Sequence, residues 1–501
     1  MMEDKYGQQV EKKMEKYEFW EKVLNSARYV VAPMVDQSEL AWRMLSRKYG
    51  AQLCYSPMLH ASVFIRDEGY RKEALQSCPE DRPLIIQFCA NDPNIFVEAA
   101  KLAQDHADAI DLNLGCPQCI AKRGHYGAFL QDDWDLIHKM LSHASKSLKV
   151  PVTCKIRVFK DLEKTVKYAK MLEKTGISLI TVHGRTRDMK GATTGLADWN
   201  YIKAVKQNVY IPVFANGNIQ YLSDVKQCMD ETGADGVMSA EGNLHNPALF
   251  SGIQPLVSDI SEQYLELVKK YPCGLSSVRG HMFKLWHHML QVHIDLRLDL
   301  AKAKNLGAII ELCAEMKKRC EEDMKQHDGT LNKKLPHPYW VCQPYVRPSP
   351  EEAVKAKEKQ KAVKRPLVSI LEQDKNTEGL SKNQMKKRMR NPSMKFRTED
   401  ERRAMKERYI KCANCGNPKG LKCVFGLCRA CCKSKAHKLM ADCPSHNLCF
   451  KTKHEKRLKW EEEQRKKQKV ESLLPEENAL QVTSTTPKES EIDEKVEEAA
   501  I

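Results

Sequence analysis

Cys116 closes the stretch Ala109-Ile-Asp-Leu-Asn-Leu-Gly-Cys-Pro117, and Gly124-His-Tyr-Gly-Ala-Phe-Leu130 follows it. The first part reads as a strand, with Ile110, Leu112 and Leu114 alternating with Asp111 and Asn113. Gly115 permits a sharp turn there and Pro117 removes a ladder donor, so the strand ends and the thiol stands at its tip. A thiol ordinarily titrates at about 8.5 and so carries its proton at neutral pH, ready to act as an acid. Taken alone, the stretch suits an inert buried cysteine equally well.

Other reactive or polar residues also fall at the ends of short apolar runs. Pro33-Met34-Val35 follows the run from Tyr29, and Gln87 closes the one from Leu84. Lys155 and Arg157 end Val150–Val158, and His183-Gly184-Arg185 follows Ser178–Val182. Asn216-Gly217-Asn218 follows Val209–Phe214, and Ala240-Glu241 follows Gly236–Met238. One such tip is ordinary loop polarity, but so many together point to a shared ligand site.

The elements that carry these tips are eight runs: Tyr29–Met34, Leu53–Pro57, Leu84–Phe88, Ala109–Leu114, Val150–Val158, Ser178–Val182, Val209–Phe214 and Gly236–Met238. Helix-like segments lie between most of them, at Leu40–Tyr49, Asn94–Gln104, Trp134–Ser145, Leu162–Lys174, Trp199–Val205 and Leu222–Thr232. This alternation predicts an α/β fold, a (β/α)8 TIM barrel whose site lies at the C-terminal ends of its strands. A doubly wound sheet is the alternative, but no Gly-x-Gly-x-x-Gly turn follows the first run. From about Phe250 to Gln326 the apolar spacing turns to three and four, as in Leu285, Met289, His293 and Leu296, which predicts a small helical domain.

The domain plan is an N-terminal helical extension (1–24), the barrel (25–250), a helical domain (251–345), a basic linker (346–410), a Cys/His-rich module (411–450), and a basic helix with an acidic tail (451–501). The net charge of +16 favours an acidic partner such as nucleic acid. It is unevenly spread: residues 351–410 carry 18 Lys/Arg against 10 Asp/Glu, whereas 471–501 carry 9 acidic residues against 2 lysines. The basic run 386–390 reads as an import signal, an RNA-binding arm or solvated charge. The polar start, Met1 to Trp20, lacks the apolar core of a secretory signal, and no run is long enough to span a membrane. A cytoplasmic or nuclear protein is expected.

Eight of the 19 cysteines lie between 412 and 449. In a reducing compartment such a cluster points to metal rather than disulfides. The candidate ligands are Cys412, Cys415, Cys423, Cys428, Cys431, Cys432, His437, Cys443, His446 and Cys449. Thiolates two residues apart reach one tetrahedral zinc, and ten candidates suffice for two closed, structural sites. The spacing leaves open which of the ten bind.

Together, Ala32-Pro33-Met34-Val35-Asp36, Asp111-Leu-Asn-Leu-Gly-Cys-Pro117, Gly127-Ala128, Lys155-Ile-Arg157, His183-Gly-Arg-Thr186 and Asn216-Gly217 resemble the tRNA-dihydrouridine synthases over residues 25–345. The resemblance implies an FMN-dependent barrel that reduces uridine in tRNA with NADPH or NADH. Met238-Ser-Ala-Glu-Gly-Asn-Leu244 resembles the eukaryotic branch that acts on uridines 16 and 17 of the D-loop. By this resemblance Cys116 protonates C5 of the uracil while hydride reaches C6, and Cys119 is structural. Lys155 would sit near the flavin N1/O2 edge and His183 at the flavin phosphate or the substrate. Gln87 would bond the flavin pyrimidine, Pro33, Met34 and Val35 would line the ring, and Asn113 would contact uracil or flavin. Asn216, Gly217, Asn218, Ala240 and Glu241 would surround the cofactor, with Arg185 on the substrate side and Arg185 or Arg187 replacing some lost charge. The partners implied are tRNA and a nicotinamide cofactor, with no DNA and no membrane. Two departures stand out: Asn216-Gly217-Asn218 where many relatives have Asn-Gly-Asp, and Ala240-Glu241 where many have Gly-Arg. Two other readings fit the same residues: an RNA-binding protein with a silent barrel, and a flavin barrel reductase of a free pyrimidine.

Overall fold

The computed structural model describes residues 16–191, 194–326, 335–345, 410–420 and 422–452, and beyond these residues 454, 455, 458 and 462. The basic run 386–390, the rest of the linker to 409, residues 1–15 and the acidic tail lie outside the described residues. The chain divides into two compact units, residues 1–360 and 361–501.

In the first unit eight parallel strands close into a barrel: β1 (Tyr29–Val31), β2 (Leu53–Tyr55), β3 (Leu84–Cys89), β4 (Ala109–Leu114), β5 (Val152–Val158), β6 (Leu179–Thr186), β7 (Val213–Asn216) and β8 (Gly236–Ser239). Closure is direct, since Val30 of β1 pairs with Met238 of β8. The predicted barrel is therefore present. The seventh strand begins at Val213 rather than Val209, because Pro212 just before it has no N–H to give to a ladder. The sixth runs on to Thr186, with a register shift between Arg157 and Val158 on its partner.

β3, β4 and β5 are buried along their whole lengths. Apolar side chains supply the core, while Gln87, Asp111 and Asn113 are polar and buried among them. Strand register sets these groups side by side: Gln87 pairs with Asp111, Asp111 with Thr153, and Asn113 with Lys155. Further along, Arg157 pairs with His183, and His183 with Asn216.

The barrel helices begin on aspartates that cap them. Asp92 accepts the N–H groups of Asn94 and Ile95, and Asp133, Asp161 and Asp198 cap the helices at Trp134, Leu162 and Trp199. The second-to-third connection holds a two-residue strand, Leu59–His60, and helices Ala61–Arg66 and Glu68–Ala74.

Beyond the barrel come helices Val257–Lys270, Leu275–Leu285, Met289–Val292, Ile294–Lys302 and Leu306–Gln326. The periodic run from Leu285 to Leu296 is not one helix: the chain turns at His293, whose ring bonds the Asp323 carboxylate at 3.0 Å. These helices share a core with Trp42 from the barrel helix Leu40–Lys48. Trp42 stacks on His281 at 3.9 Å, and Glu39 accepts from Tyr264 Oη at 2.7 Å and bonds His281 at 3.0 Å. After the last of these helices the chain returns over the barrel at Pro344 and Tyr345.

In the second unit, helix Arg429–Lys438 packs with the two-residue strands Asp442–Cys443 and Leu448–Cys449, which pair antiparallel. Among the described residues no helix is long and apolar enough to cross a membrane.

Candidate active site and metal centre

A cavity of about 510 Å³ opens at the C-terminal ends of the strands, the size of a cofactor or ligand pocket. Arg157, His183, Arg185, Asn216, Asn218 and Glu241 are among the residues around it. Gly217 and Ala240 also line it, so seven of the predicted site residues meet there. Gly217, at φ +117°, has no room for a side chain; a Cβ there would lie 2.5 Å from Ala197 Cβ.

Lys155 lies beside this cavity and donates to Asn216 Oδ1 at 2.7 Å, while Asn216 Nδ2 donates to the Met238 carbonyl at 2.8 Å. Burial pushes the Lys155 ammonium down to about 7, with the Arg157 charge acting in the same direction. Arg157 is lowered to about 10, again by burial first and then by Arg185. Burial and the Lys155, Arg157 and Arg185 charges hold His183 well below the usual imidazole range, so it is neutral at physiological pH. Lys155 bonds an amide oxygen, and Arg157 bonds the backbone carbonyls of Gly115, Thr186 and Met189 at 2.9–3.1 Å. Neither spends its charge on a carboxylate in these bonds. A group of cations held this way is suited to an anion.

Arg185 reaches His183 Nε2 at 3.0 Å and Asn218 Oδ1 at 2.8 Å. Asn218, in the left-handed region at φ +63°, also exchanges both hydrogen bonds with the Ala197 backbone at 2.8–2.9 Å. Asn218 thus ties Arg185 to the loop after β6.

Cys116 is held on three sides. Its N–H donates to Asn113 Oδ1 at 2.9 Å, and its carbonyl accepts from Ala128 N at 3.1 Å. Gly127, at φ +64°, closes the third side: a Cβ there would stand 2.9 Å from Cys116 Cβ. Asn113 is itself fixed by donating to Gln87 Oε1 at 2.8 Å. Gln87 Nε2 donates to Asp111 Oδ2 at 2.8 Å, and Thr153 Oγ1 donates to Asp111 Oδ1 at 2.6 Å. Burial raises Asp111 to about 6 against the lowering effect of these bonds. Gln87 is wholly buried and both ends of its amide are engaged in this network. Cys119 is exposed and begins the short helix Cys119–Gly124.

Val35 is exposed and lines a different cavity, of about 260 Å³, together with Asp36, Glu39, Met58 and Tyr70. Pro33 and Met34 are not among the residues that line the larger cavity.

Several residues at this end of the barrel were given no role from sequence. Arg157 carries its own signal, the two-residue spacing from Lys155 that puts both on one face of β5. Lys190 donates to the Pro117 carbonyl at 2.6 Å from the loop after β6, and Tyr345 comes from the segment after the last helix of the helical domain. No local pattern marks either of them.

In the second unit eight of the ten candidate ligands converge. Cys412, Cys415, Cys428 and Cys431 form one group, and Cys423, Cys432, Cys443 and His446 another, with all ligand atoms of a group within 4.8 Å of one another. His437 and Cys449 fall outside both groups. The His437 ring instead packs edge-on against Phe450.

Comparison with known proteins agrees with this arrangement. The family model described as dihydrouridine synthase (Dus) matches residues 30–333. A Mus musculus protein, tRNA-dihydrouridine(16/17) synthase [NAD(P)(+)]-like, is 57% identical over 467 residues, covering 92% of this chain and 96% of its own. The Saccharomyces cerevisiae tRNA-dihydrouridine(16/17) synthase [NAD(P)(+)] is 46% identical over 353 residues, 64% of this chain and 83% of its own. The human tRNA-dihydrouridine(20a/20b) synthase [NAD(P)+]-like protein is 40% identical over 251 residues, 49% of this chain and 78% of its own.

Proposed function

The chain belongs to the dihydrouridine synthase family, oxidoreductases that reduce uridine to dihydrouridine in tRNA, and we propose that it acts on uridines 16 and 17 with FMN in the barrel cavity and NADPH or NADH as reductant. The match to the mouse protein over nearly the full length of both chains supports the choice of positions.

The observation that carries the reading is the meeting of cations and a positioned thiol at one end of the barrel. The residues present fit FMN. Lys155 and Arg185 supply charge for a phosphate or an anionic ring, Asn216 and Asn218 supply polar edges, and the cavity has the volume. FMN, when bound, supplies the hydride for C6 of the uracil. Everything else falls to the chain. Cys116 holds the proton for C5, and Asn113 with Gly127 fixes where its sulfur stands. Burial lowers the Lys155 ammonium to about 7, so an anionic group held beside it would favour its charged form. Arg157 ties the Gly115 carbonyl to the loop after β6, keeping the thiol's strand tip against the cavity. The target base has to leave its stack to reach this depth.

We assign a structural role to zinc in the Cys-rich module, and a reducing compartment, cytoplasm or nucleus, to the whole protein. The convergence of eight Cys/His donors into two groups supports the metal, and thiolate ligands of this kind persist in a reducing compartment. Position-by-position mass spectrometry of tRNA from cells lacking this protein tests the function. Uridine should replace dihydrouridine at 16 and 17 and nowhere else; unchanged 16 and 17 would refute the assignment.

A further inference from the structure

We propose that residues 412–446 hold two interleaved zinc ions, one bound by four cysteines and one by three cysteines and a histidine, and that the two load as a unit rather than independently. This rests on the zinc reading of the module and adds to it both the ligand partition and the coupling.

The partition comes from geometry. A tetrahedral zinc with Zn–S of about 2.3 Å holds its sulfurs about 3.8 Å apart. Cys415 and Cys428 sulfurs lie 3.4 Å apart, Cys443 and Cys423 sulfurs 3.9 Å, and Cys443 sulfur lies 3.6 Å from His446 Nδ1. Two separate cages of four donors have the dimensions of single ions, and soft thiolates with one imidazole select zinc among common divalent metals. The second cage is also built round its histidine. A Cβ at Gly420 would stand 2.6 Å from His446 Nε2, so only glycine lets the ring pack where its Nδ1 faces the sulfurs.

The coupling comes from chain order. Cys412 and Cys415 serve the first cage, Cys423 the second, Cys428 and Cys431 the first, and Cys432, Cys443 and His446 the second. The loop that the first ion closes, from Cys415 to Cys428, therefore contains a ligand of the second. The loop the second ion closes, from Cys423 to Cys432, contains two ligands of the first. Cys431 and Cys432 are neighbours in the first turn of helix Arg429–Lys438, where successive side chains diverge by about 100° and so face different ions. Orienting that one turn for either ion orients it for both.

The module has little else to fold on. Its buried cluster is Cys412, Leu427, Cys428, Cys432, Ala436, Cys443 and Leu448. Four of these seven are ligands, so losing one ion removes core as well as a crosslink.

The test is the zinc content of the full-length protein, purified without chelators, by elemental analysis. Bound flavin serves as the check that the barrel is folded. The wild type should carry two zinc ions per chain, as should His437→Ala and Cys449→Ala, whose side chains lie outside both cages. Cys415→Ser and Cys443→Ser, one in each cage, should each fall below about half an ion rather than to one. Zinc-free wild type with flavin bound refutes the zinc reading itself. A loss of one ion in His437→Ala or Cys449→Ala overturns the partition. If either serine variant keeps one ion at full occupancy, the coupling is overturned while the zinc reading stands.

Discussion

The Asn113 amide joins two parts of the barrel end: its oxygen accepts the Cys116 N–H at 2.9 Å while its nitrogen donates to Gln87 at 2.8 Å. The thiol's position is thus set from inside the barrel, through Gln87 and Asp111, as well as from the loop at Gly127. Asn113→Ala should retain flavin but lose about ten- to a hundredfold in turnover, because the acid drifts from its approach to C5. Gly127→Ala should do the same by pressing a Cβ against Cys116 at a backbone angle alanine disfavours. Steady-state dihydrouridine formation with flavin content measured in parallel decides; wild-type turnover in both variants would mean that the thiol needs no such hold.

Asp111 should leave a mark on stability. Burial raises it to about 6, so between about pH 4 and 6 the folded protein binds more protons at this site than the unfolded chain. Its contribution to stability is then fully present below about pH 4 and is lost as pH rises through 6. Urea unfolding at pH 4.5 and 7 should show the wild type losing stability relative to Asp111→Asn over that interval. Parallel pH profiles would place the Asp111 carboxyl near its ordinary value.

Much of the architecture was legible because its determinants are local. Alternating apolar runs and strand-ending Gly-Cys-Pro are neighbours in the chain; they marked β4 at both ends and the start of the helix at Trp134, which runs on to Ser147 rather than stopping at Ser145. The meeting of His183, Arg185 and Asn216 at one cavity followed from barrel topology once the strands were counted. What was not legible depends on register between distant strands. Gln87 read as the residue that closes its strand, and only the pairing with β4 sets it beside Asp111 and Asn113, which bond both ends of its amide. The place of Tyr345 at the cavity depends on how the helical domain folds back, which no local pattern encodes. The ligand partition of the Cys-rich module was undecidable for the same reason: spacing names pairs, whereas which pairs meet is a property of the folded loops.

Lys155 should reveal itself in two ways. Lys155→Ala should slow flavin reduction or weaken flavin retention, since a cation at the ring is lost; unchanged flavin content and reductive kinetics would remove it from that role. In flavin-free protein, burial lowers this ammonium to about 7, so from pH 7 to about 10 the unfolded chain binds more protons than the folded one. Stability attributable to this site therefore rises with pH over that window. Denaturation at pH 7 and 9 should show the wild type gaining on Lys155→Met; no relative gain would mean the amine is charged throughout.

The central claim is that Cys116, and not its neighbour Cys119, gives the proton to C5. The direct measurement is a single turnover: reduce the bound flavin, add unmodified tRNA without oxygen, and follow flavin reoxidation together with dihydrouridine. Cys116→Ala should bind FMN and accept hydride from NADPH normally. It should then reoxidise and form product about 10²–10⁴-fold more slowly, the range for losing a positioned general acid. Cys119→Ala should keep most activity, being exposed at the start of its helix. Wild-type reoxidation with full product in Cys116→Ala, or a dead Cys119→Ala beside an active Cys116→Ala, would contradict the account.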